Sequence, residues 1–283
     1  MSEGPFLCQL VGSMSKGAAG NPTVAMIEAA FAHHGLHWRY VNMEVEPEEL
    51  AAAVRGAKAM GFRGFNCSLP HKVNVIPHLD GLGDSAEIMG AVNCVVRRGD
   101  QLIGENTDGK GFLKSLQSVI DPRGKSIVLF GAGGAARAIA VELGIAGAGR
   151  ITVVNRSQTR GQELVGLLSD KLGLATELVV WRGDYAVPVG TDIVINGTSI
   201  GLYDPQALLA IDLSSLAPGM VVADVIFDPV RTQLLDSAAA RGCRTIDGLG
   251  MLVNQGILGF GFWTGIEPDA AVMRAALESA MDV

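Results

Sequence analysis

Glycines at positions 131, 133 and 134 follow a segment at 125–130 that ends in an apolar run, and they precede an alanine-rich amphipathic segment. This order predicts a strand, a tight turn and a helix that starts near Ala135, where free N–H groups would hold a diphosphate. The spacing G-x-G-G-x-x departs from a strict G-x-G-x-x-G, so a glycine-rich crossover in an ordinary α/β sheet is the alternative. A second apolar run at 151–154 completes a strand-helix-strand unit and favours nucleotide binding.

The residues after this second run indicate which dinucleotide would bind. An acidic side chain there would accept hydrogen bonds from the ribose 2′-hydroxyl of NAD, but the chain has Asn155, Arg156 and Ser157, with Arg160 one turn later. Guanidinium groups suit a phosphate. The alternative is a pair of solvated arginines, which would oppose the dipole of the helix that they begin. The sequence therefore predicts NADP as the cofactor.

Lys72 lies in the segment N-x-S-x-P-H-K at 66–72, where a predicted strand gives way to a proline turn. A lysine near a cationic nicotinamide can have its charge disfavoured and then act as a proton donor or acceptor. An ordinary surface lysine is the alternative.

Two further polar segments follow predicted strands. G-A-V-N at 90–93 leads across a hairpin to G-E-N-T-D-G at 104–109, where Asp108 could be a catalytic carboxylate or could cap the next helix. The segment N-G-T-S-I-G at 196–201 contains Thr198 and Ser199 and is expected to face the nicotinamide ribose.

Composition limits the classes of protein that the chain can represent. Its 283 residues are 48% hydrophobic and 18% charged, which is typical of a well-packed chain with one large or two moderate domains. A net charge of −7 gives no support for nucleic-acid or membrane binding. The four cysteines are far apart, without a CxxC pair, so we expect neither structural zinc nor a disulfide scaffold and no metal. Without a leader or a long apolar run, a cytoplasmic protein is expected.

The elements that position these residues alternate between strand and helix, which predicts an α/β fold with mostly parallel sheets. The first strand is expected at 6–11, a loop at 12–20, and a helix from Asn21 to His34 with Asn21 as the N-cap. A helix at 46–59 and strands ending at Asn196 and Phe227 are also expected.

The predicted domains are a substrate-binding domain over residues 1–106, a doubly wound Rossmann NADP-binding domain over 107–247, and C-terminal helices over 248–283 that return to the first domain. The cleft between two such sheets is the expected place for a substrate.

In this order, the segments at 66–72, 90–93, 104–109, 131–136, 155–160 and 196–201, together with D-x-x-x-x-P-x-x-T-x-L-L at 224–235 and G-x-x-M-L-x-x-Q at 248–255, resemble the shikimate dehydrogenase family. The resemblance extends from residue 64 to residue 255. It implies a reversible, NADP-linked oxidation of shikimate to 3-dehydroshikimate in aromatic amino acid biosynthesis.

The resemblance also implies roles for individual residues. Lys72 and Asp108 correspond to the catalytic pair, which is consistent with the proton that must leave a carbinol as its hydride leaves. Hydroxyl-binding roles fall on Ser68, Asn93 and Gln255. Cofactor-binding roles fall on Gly131, Gly133, Gly134, Ala135, Asn155, Arg156, Ser157, Arg160, Thr198, Ser199 and Gly248.

The chain departs from the family pattern at two places. The two serines of the family's S-x-S segment, which hold the substrate carboxylate, align with Asn21 and Thr23, although Ser13 and Ser15 preserve the spacing earlier in the chain. For Asn21, a helix cap is the alternative role. The family's tyrosine in D-x-x-Y-x-P is Phe227 here.

Three functions follow. The first is an NADP-dependent shikimate dehydrogenase that acts on a small cyclic hydroxy acid and could form a homodimer. The second is a paralogue that acts on quinate, an aminoshikimate or another cyclic polyol acid, as the altered S-x-S segment favours. The third is a non-catalytic NADP-binding sensor or scaffold, against which the presence of both Lys72 and Asp108 argues.

Overall fold

The computed structural model describes residues 6–282, which divide into two compact units. Unit 1 comprises residues 6–107 together with Gln255–Asp282, and unit 2 comprises Asp108–Asn254. The strands are β1 (Gln9–Ser15), β2 (Trp38–Glu44), β3 (Gly64–Cys67), β4 (Gly81–Leu82), β5 (Cys94–Arg98), β6 (Gln101–Glu105), β7 (Ser126–Phe130), β8 (Arg150–Asn155), β9 (Ala175–Val180), β10 (Tyr185–Ala186), β11 (Ile193–Asn196), β12 (Ile211–Asp212), β13 (Val221–Asp224) and β14 (Arg244–Ile246).

The helices are α1 (Thr23–His33), α2 (Leu50–Ala59), α3 (His71–Asn74), α4 (Asp84–Met89), α5 (Asp108–Gln117), α6 (Gly134–Ile145), α7 (Gln158–Leu172), α8 (Gln233–Ala240), α9 (Gly248–Thr264) and α10 (Ala270–Met281). Short 3-10 turns lie at Ala18–Gly20, Pro47–Glu49, Ile76–His78 and Leu213–Ser215. Helix α9 begins in unit 2 and continues into unit 1. Across residues 6–282, none of the helices combines the length and the apolar character needed to cross a bilayer.

Unit 1 is built on a six-stranded mixed sheet in the order β2-β1-β3-β5-β6-β4. Strands β1, β2 and β3 are parallel, whereas β5 pairs antiparallel with both β3 and β6. The predicted hairpin is therefore confirmed. Helix α10 packs on α1, and a cluster of buried apolar residues that includes Met14, Leu50 and Phe65 forms part of the core of this unit.

The prediction for the first strand was wrong in its position. Strand β1 begins at Gln9 and runs through Ser13 to Ser15, instead of occupying residues 6–11. Parallel partners on both sides supply the backbone hydrogen bonds of this stretch, so Gly12 and the two serines are held in the sheet. The predicted helix at 46–59 is also shorter, because Pro47–Glu49 forms a 3-10 turn before α2.

Unit 2 contains a six-stranded, all-parallel sheet in the order β14-β13-β11-β7-β8-β9. Counted along unit 2, with the short β10 and β12 set apart in their own two-stranded sheet, this order is 3-2-1-4-5-6 read from β9. It is the doubly wound dinucleotide-binding arrangement, in which the strand order reverses between β7 and β11. The predicted α/β fold with a Rossmann domain is confirmed.

The sequence of unit 2 explains why this sheet forms. Strands β7, β11 and β13 are short apolar runs that are almost wholly buried, as expected for parallel strands covered on both faces. One cluster of buried apolar residues packs Phe130 against Trp181, with ring centroids 5.2 Å apart. Strand β13 ends at Asp224, three residues before the predicted end at Phe227, because the next amides turn to hydrogen-bond Asn196 and Asp224 itself.

Candidate active site and cofactor site

The glycine-rich turn of unit 2 lies at the point where the strand order reverses. Gly131 follows β7 with φ = 106°, and a Cβ there would lie 3.0 Å from the carbonyl oxygen of Gly197. The amide of Gly197 in turn donates to the Phe130 carbonyl at 2.8 Å. The turns after β7 and β11 therefore contact each other across the crevice in which doubly wound sheets bind their ligands.

Gly133 and Gly134 show that this turn leaves room for a ligand. A Cβ added to either residue would meet no protein atom within 4 Å, so the packing of the chain itself does not require glycine at these positions. Helix α6 begins at Gly134, next to Ala135, and among the described residues no side chain caps it. Open space beside free N–H groups at a helix start fits a diphosphate, so a dinucleotide fits the residues present.

The four residues predicted to select NADP lie at the carboxyl end of β8. The Asn155 side chain donates to the Ser157 carbonyl at 2.8 Å, and the Ser157 hydroxyl accepts from the Arg160 amide as the N-cap of α7. The side chains of Arg156 and Arg160 are exposed. Two guanidinium groups at one helix start, with no acidic residue in the segment, fit a 2′-phosphate rather than a 2′-hydroxyl.

Thr198 and Ser199 occupy the loop after β11, at 196–201. The Asn196 side chain closes this loop, because its Oδ1 accepts from the Thr198 amide at 3.0 Å and from the Thr198 hydroxyl at 2.7 Å. The Thr198 hydroxyl also accepts from the Ile200 amide at 3.1 Å. The loop is thus held in one conformation, with Ser199 exposed.

Gly248, another predicted cofactor residue, begins α9. Its amide donates to the Ile226 carbonyl at 3.2 Å, and a Cβ at this position would lie 2.3 Å from the same oxygen. Only glycine permits this approach without displacing backbone. The start of α9 is therefore fixed against the loop that follows β13.

Asp108 begins helix α5 of unit 2. The next residue, Gly109, packs so closely on α6 that a Cβ there would lie 2.3 Å from the Ala138 carbonyl oxygen. The backbone that carries Asp108 is therefore fixed against the helix that follows the glycine-rich turn.

In unit 1, Lys72 lies on the short helix α3, five residues after the end of β3 and beyond the exposed Ser68. Its carbonyl accepts from the Val92 amide at 2.7 Å, which ties α3 to the segment that carries Asn93. The neighbouring His71 is fully buried, and its Nε2 donates to the Val45 carbonyl at 2.8 Å. The fold therefore brings the predicted residues Ser68, Lys72 and Asn93 to one end of the sheet.

A chain of neutral hydrogen bonds crosses this end of the sheet. The Tyr40 hydroxyl donates to Asn66 Oδ1 at 2.8 Å, and the Asn66 side chain donates to the Asn93 carbonyl at 3.0 Å. The Asn93 side chain in turn donates to the Thr107 hydroxyl at 2.9 Å and accepts from its amide at 2.6 Å. Burial raises the pKa of Tyr40, so its hydroxyl stays neutral.

Asn21 and Thr23 lie beside this chain of hydrogen bonds. The Asn21 Oδ1 accepts from the Thr23 amide at 3.1 Å, one residue ahead of the N-cap position of α1, which Pro22 occupies. The predicted N-cap assignment is therefore off by one residue, although the Asn21 side chain does satisfy a helix amide. Asn21 also accepts from Asn42 through its carbonyl, while Thr23 is buried. Gln255, on α9, is also buried.

Sequence reasoning gave no role to Asp224, although the residue opens the segment quoted at 224–235. Asp224 is buried at the end of β13, and burial raises its pKa to about 6. It also gave no role to Tyr40. Tyr40 is the one buried residue of the edge strand β2, and its sequence neighbours Arg39 and Val41 gave no signal of that burial.

These features define a class of protein, the dinucleotide-binding enzymes: a doubly wound sheet, an open glycine-rich turn, and a pair of arginines after β8. Within that class, two family models match the chain: the shikimate dehydrogenase substrate binding domain over residues 21–95, and the shikimate 5′-dehydrogenase C-terminal domain over residues 248–278. A shikimate dehydrogenase (NADP(+)) from Moorella thermoacetica is 43% identical over 260 residues, which cover 90% of this chain and 88% of the relative. The chain belongs to the shikimate dehydrogenase family, as its motifs predicted.

Solved structures share the whole fold. The ligand-free 5-ketofructose reductase of Gluconobacter sp. strain CHM43 superposes with a TM-score of 0.95 and 54% sequence identity, covering 97% of this chain and 99% of that one. A shikimate dehydrogenase solved in complex with NADP+ has a TM-score of 0.88 and 35% identity, covering 96% of this chain and 95% of that one. This chain thus shares its fold with a structure named for 5-ketofructose as well as with structures named for shikimate.

Proposed function

We propose that the chain is an NADP-dependent dehydrogenase that interconverts shikimate and 3-dehydroshikimate. The observation that carries the proposal is the 43% identity, over nine-tenths of the chain, to a relative named shikimate dehydrogenase (NADP(+)). The exposed arginine pair after β8 and the open turn at Gly133 and Gly134 support the choice of cofactor.

The proposed chemistry needs one hydride and one proton to leave the carbinol as it becomes a ketone. A bound dinucleotide would supply the hydride acceptor in the oxidative direction and the hydride donor in the reductive direction. We assign the proton to Lys72, with Asp108 as the carboxylate that orients it. In the reductive direction the Lys72 ammonium protonates the developing alkoxide, and in the oxidative direction the amine takes the hydroxyl proton.

The remaining polar residues of unit 1 would orient the substrate. Asn93 is held by Thr107, and Asn66 by Tyr40, so their amides are fixed before any ligand arrives. A site that satisfies several hydroxyl groups at once rejects analogues that lack one of them. We assign the recognition of the substrate hydroxyl groups to Ser68, Asn93 and Gln255. We assign to Asn21 and Thr23 the recognition of the group by which the candidate substrates differ, a carboxylate in shikimate.

A second candidate function is the NADPH-dependent reduction of a neutral polyhydroxy ketone such as 5-ketofructose. Two observations favour it: the 54% identity to the Gluconobacter reductase, and an amide at Asn21 where the family pattern has a carboxylate-binding serine. An amide and a threonine hydroxyl can bind a substrate hydroxyl as well as a carboxylate. The proton chemistry assigned to Lys72 is the same for both substrates.

One assay decides between the two candidates. Initial rates of the purified chain are measured with NADP and NAD against shikimate and quinate, and with NADPH against 3-dehydroshikimate and 5-ketofructose. We expect the highest kcat/KM with 3-dehydroshikimate and NADPH, and with shikimate and NADP in the reverse direction. A value at least a hundredfold higher for 5-ketofructose than for 3-dehydroshikimate would establish the second function instead. Binding of NADPH without turnover of any of these compounds would favour the sensor hypothesis.

Restoring the family pattern at the first helix tests the assignment of Asn21 and Thr23. The double variant Asn21→Ser, Thr23→Ser is expected to shift the ratio of kcat/KM toward 3-dehydroshikimate and away from 5-ketofructose by about tenfold or more, because a hydrogen bond to a charged group contributes about 1.5–3 kcal/mol. The Kd of NADPH and the Tm are measured as controls. An unchanged substrate ratio, with both controls intact, would exclude these residues from substrate selection.

The expectations of a cytoplasmic enzyme and of a homodimer stay predictions.

A further inference from the structure

Asp224 is a buried carboxylate to which the proposed chemistry gives no task. It is 1% exposed and lies at the carboxyl end of β13, the edge of the sheet where the glycine-rich turn also lies. The cost of burying a charge is high, so such a residue is retained only where several donors compensate it. Its hydrogen bonds therefore show what the residue does.

The carboxylate of Asp224 joins three segments of unit 2. Its Oδ1 accepts from the Asn196 side chain at 2.9 Å and from the Ile226 amide at 3.1 Å. Its Oδ2 accepts from the Thr232 hydroxyl at 2.8 Å. Thr232 is the N-cap of α8, so one carboxylate fixes the loop after β11, the loop after β13 and the start of a helix.

Two of these segments, the loop after β11 and the loop after β13, lead to residues that we assign to the cofactor. Asn196 is the residue whose Oδ1 holds Thr198, so the orientation of the Asn196 amide decides the position of the loop at 196–201. Ile226 carries the carbonyl against which Gly248 packs. Asp224 determines which way the Asn196 amide faces, because an amide that donates to the carboxylate presents its oxygen to Thr198.

We propose that Asp224 is a positioning residue for the cofactor: its carboxylate sets the orientation of Asn196, and thereby the position of the Thr198–Ser199 loop, and it holds Ile226, against which Gly248 packs. The inference rests on the proposed use of NADP by this chain, and it does not depend on which substrate is reduced.

The variant Asp224→Asn tests the proposal, because it keeps the shape of the side chain but presents an NH₂ group to Asn196 or Thr232. We expect the Kd of NADPH, measured by the fluorescence of the reduced cofactor, to rise about tenfold. The KM for the carbonyl substrate should change less than twofold. Both are measured at a fixed interval below the Tm of each variant, so that partial unfolding does not contribute.

Asp192→Asn is the matched control. Asp192 lies just before β11, at the opposite end of the same strand as Asn196, and its carboxylate accepts from the Ser126 amide at 2.9 Å. Its loss should lower the Tm without changing the Kd of NADPH. If Asp224→Asn behaves in the same way, with a lower Tm and an unchanged Kd, the residue is only structural and the proposal is overturned.

Thr232 provides a second test if Asp224→Asn does not fold. Thr232→Ser retains the hydroxyl that donates to Asp224 and should bind NADPH within twofold of wild type. Thr232→Val removes that hydroxyl and should weaken NADPH binding about threefold or more. Equal affinity in the two variants would contradict the proposal. A wild-type chain that does not bind NADPH would overturn the proposed function and, with it, this inference, whereas binding that is insensitive to these variants overturns the inference alone.

Discussion

Replacing Lys72 with alanine is expected to lower kcat about a thousandfold, within the 10²–10⁴ range that general acid-base catalysis contributes, while NADPH binds with unchanged affinity. Lys72 lies in unit 1, whereas the residues assigned to the cofactor lie in unit 2, so the variant removes the proton donor without altering the phosphate-binding edge. The measurement pairs steady-state rates for the preferred substrate with the Kd of NADPH.

Lys58→Ala is the control for the loss of a lysine in the same unit. Lys58 lies on α2, and its ammonium group is 2.8 Å from Asp80 in a half-exposed ion pair, which contributes about 1 kcal/mol or less to stability. Its kcat should equal that of wild type. If Lys72→Ala retained a tenth or more of the wild-type kcat, Lys72 would not be the proton donor, and the assignment of Asp108 as its partner would have to be abandoned as well.

Replacing Arg156 and Arg160 together with alanine is expected to reduce the preference for NADPH over NADH by a hundredfold or more. Each hydrogen bond to a charged group contributes about 1.5–3 kcal/mol, so the loss of two guanidinium groups from a 2′-phosphate costs about 3–6 kcal/mol. NADH has no 2′-phosphate, and its Kd should therefore stay within a factor of three. Titration of both reduced cofactors measures the two affinities directly.

Arg150→Ala controls for the removal of positive charge from the same strand. Arg150 begins β8, at the other end from Asn155, and its guanidinium group pairs with Glu177 at 2.8 Å. Replacing Arg150 should leave the Kd of NADPH and the Kd of NADH unchanged. A double variant that weakens NADPH and NADH equally would mean that the two arginines hold the adenine half of the cofactor in general rather than the phosphate.

Local pattern was sufficient to predict the glycine-rich turn of unit 2 and the strand and helix beside it, because their signals lie next to one another in the chain. The turn at 131–134, the helix after it and the absence of an acid at 155–157 all follow within about thirty residues. Helix α7 is likewise bounded by local signals, because a serine N-cap begins it and Gly173, with φ = 61°, ends it.

Contacts between distant residues could not be predicted in this way. The pairing of Ser13 with Asn42 and with Asn66 determines where β1 ends, and those partners are 29 and 53 residues away. The hydrogen bond between Asn196 and Asp224 spans 28 residues and depends on β11 and β13 becoming neighbours. A sequence pattern gives the residue types at such positions, whereas the strand order decides which of them meet.

The division of unit 1 between the two ends of the chain has a consequence for its synthesis. Residues 108–254 leave the ribosome as one continuous stretch and contain every strand of their own sheet, so the nascent chain can complete unit 2 early. Helix α1 must wait for α10, its principal packing partner, which is translated only after all of unit 2. Since nascent domains fold as units while synthesis proceeds at about 5–20 residues per second, the N-terminal segment has to remain incompletely packed for about ten seconds or more. We expect chaperone contacts during translation to fall on the segment that carries α1, because its apolar face stays uncovered until α10 has been made.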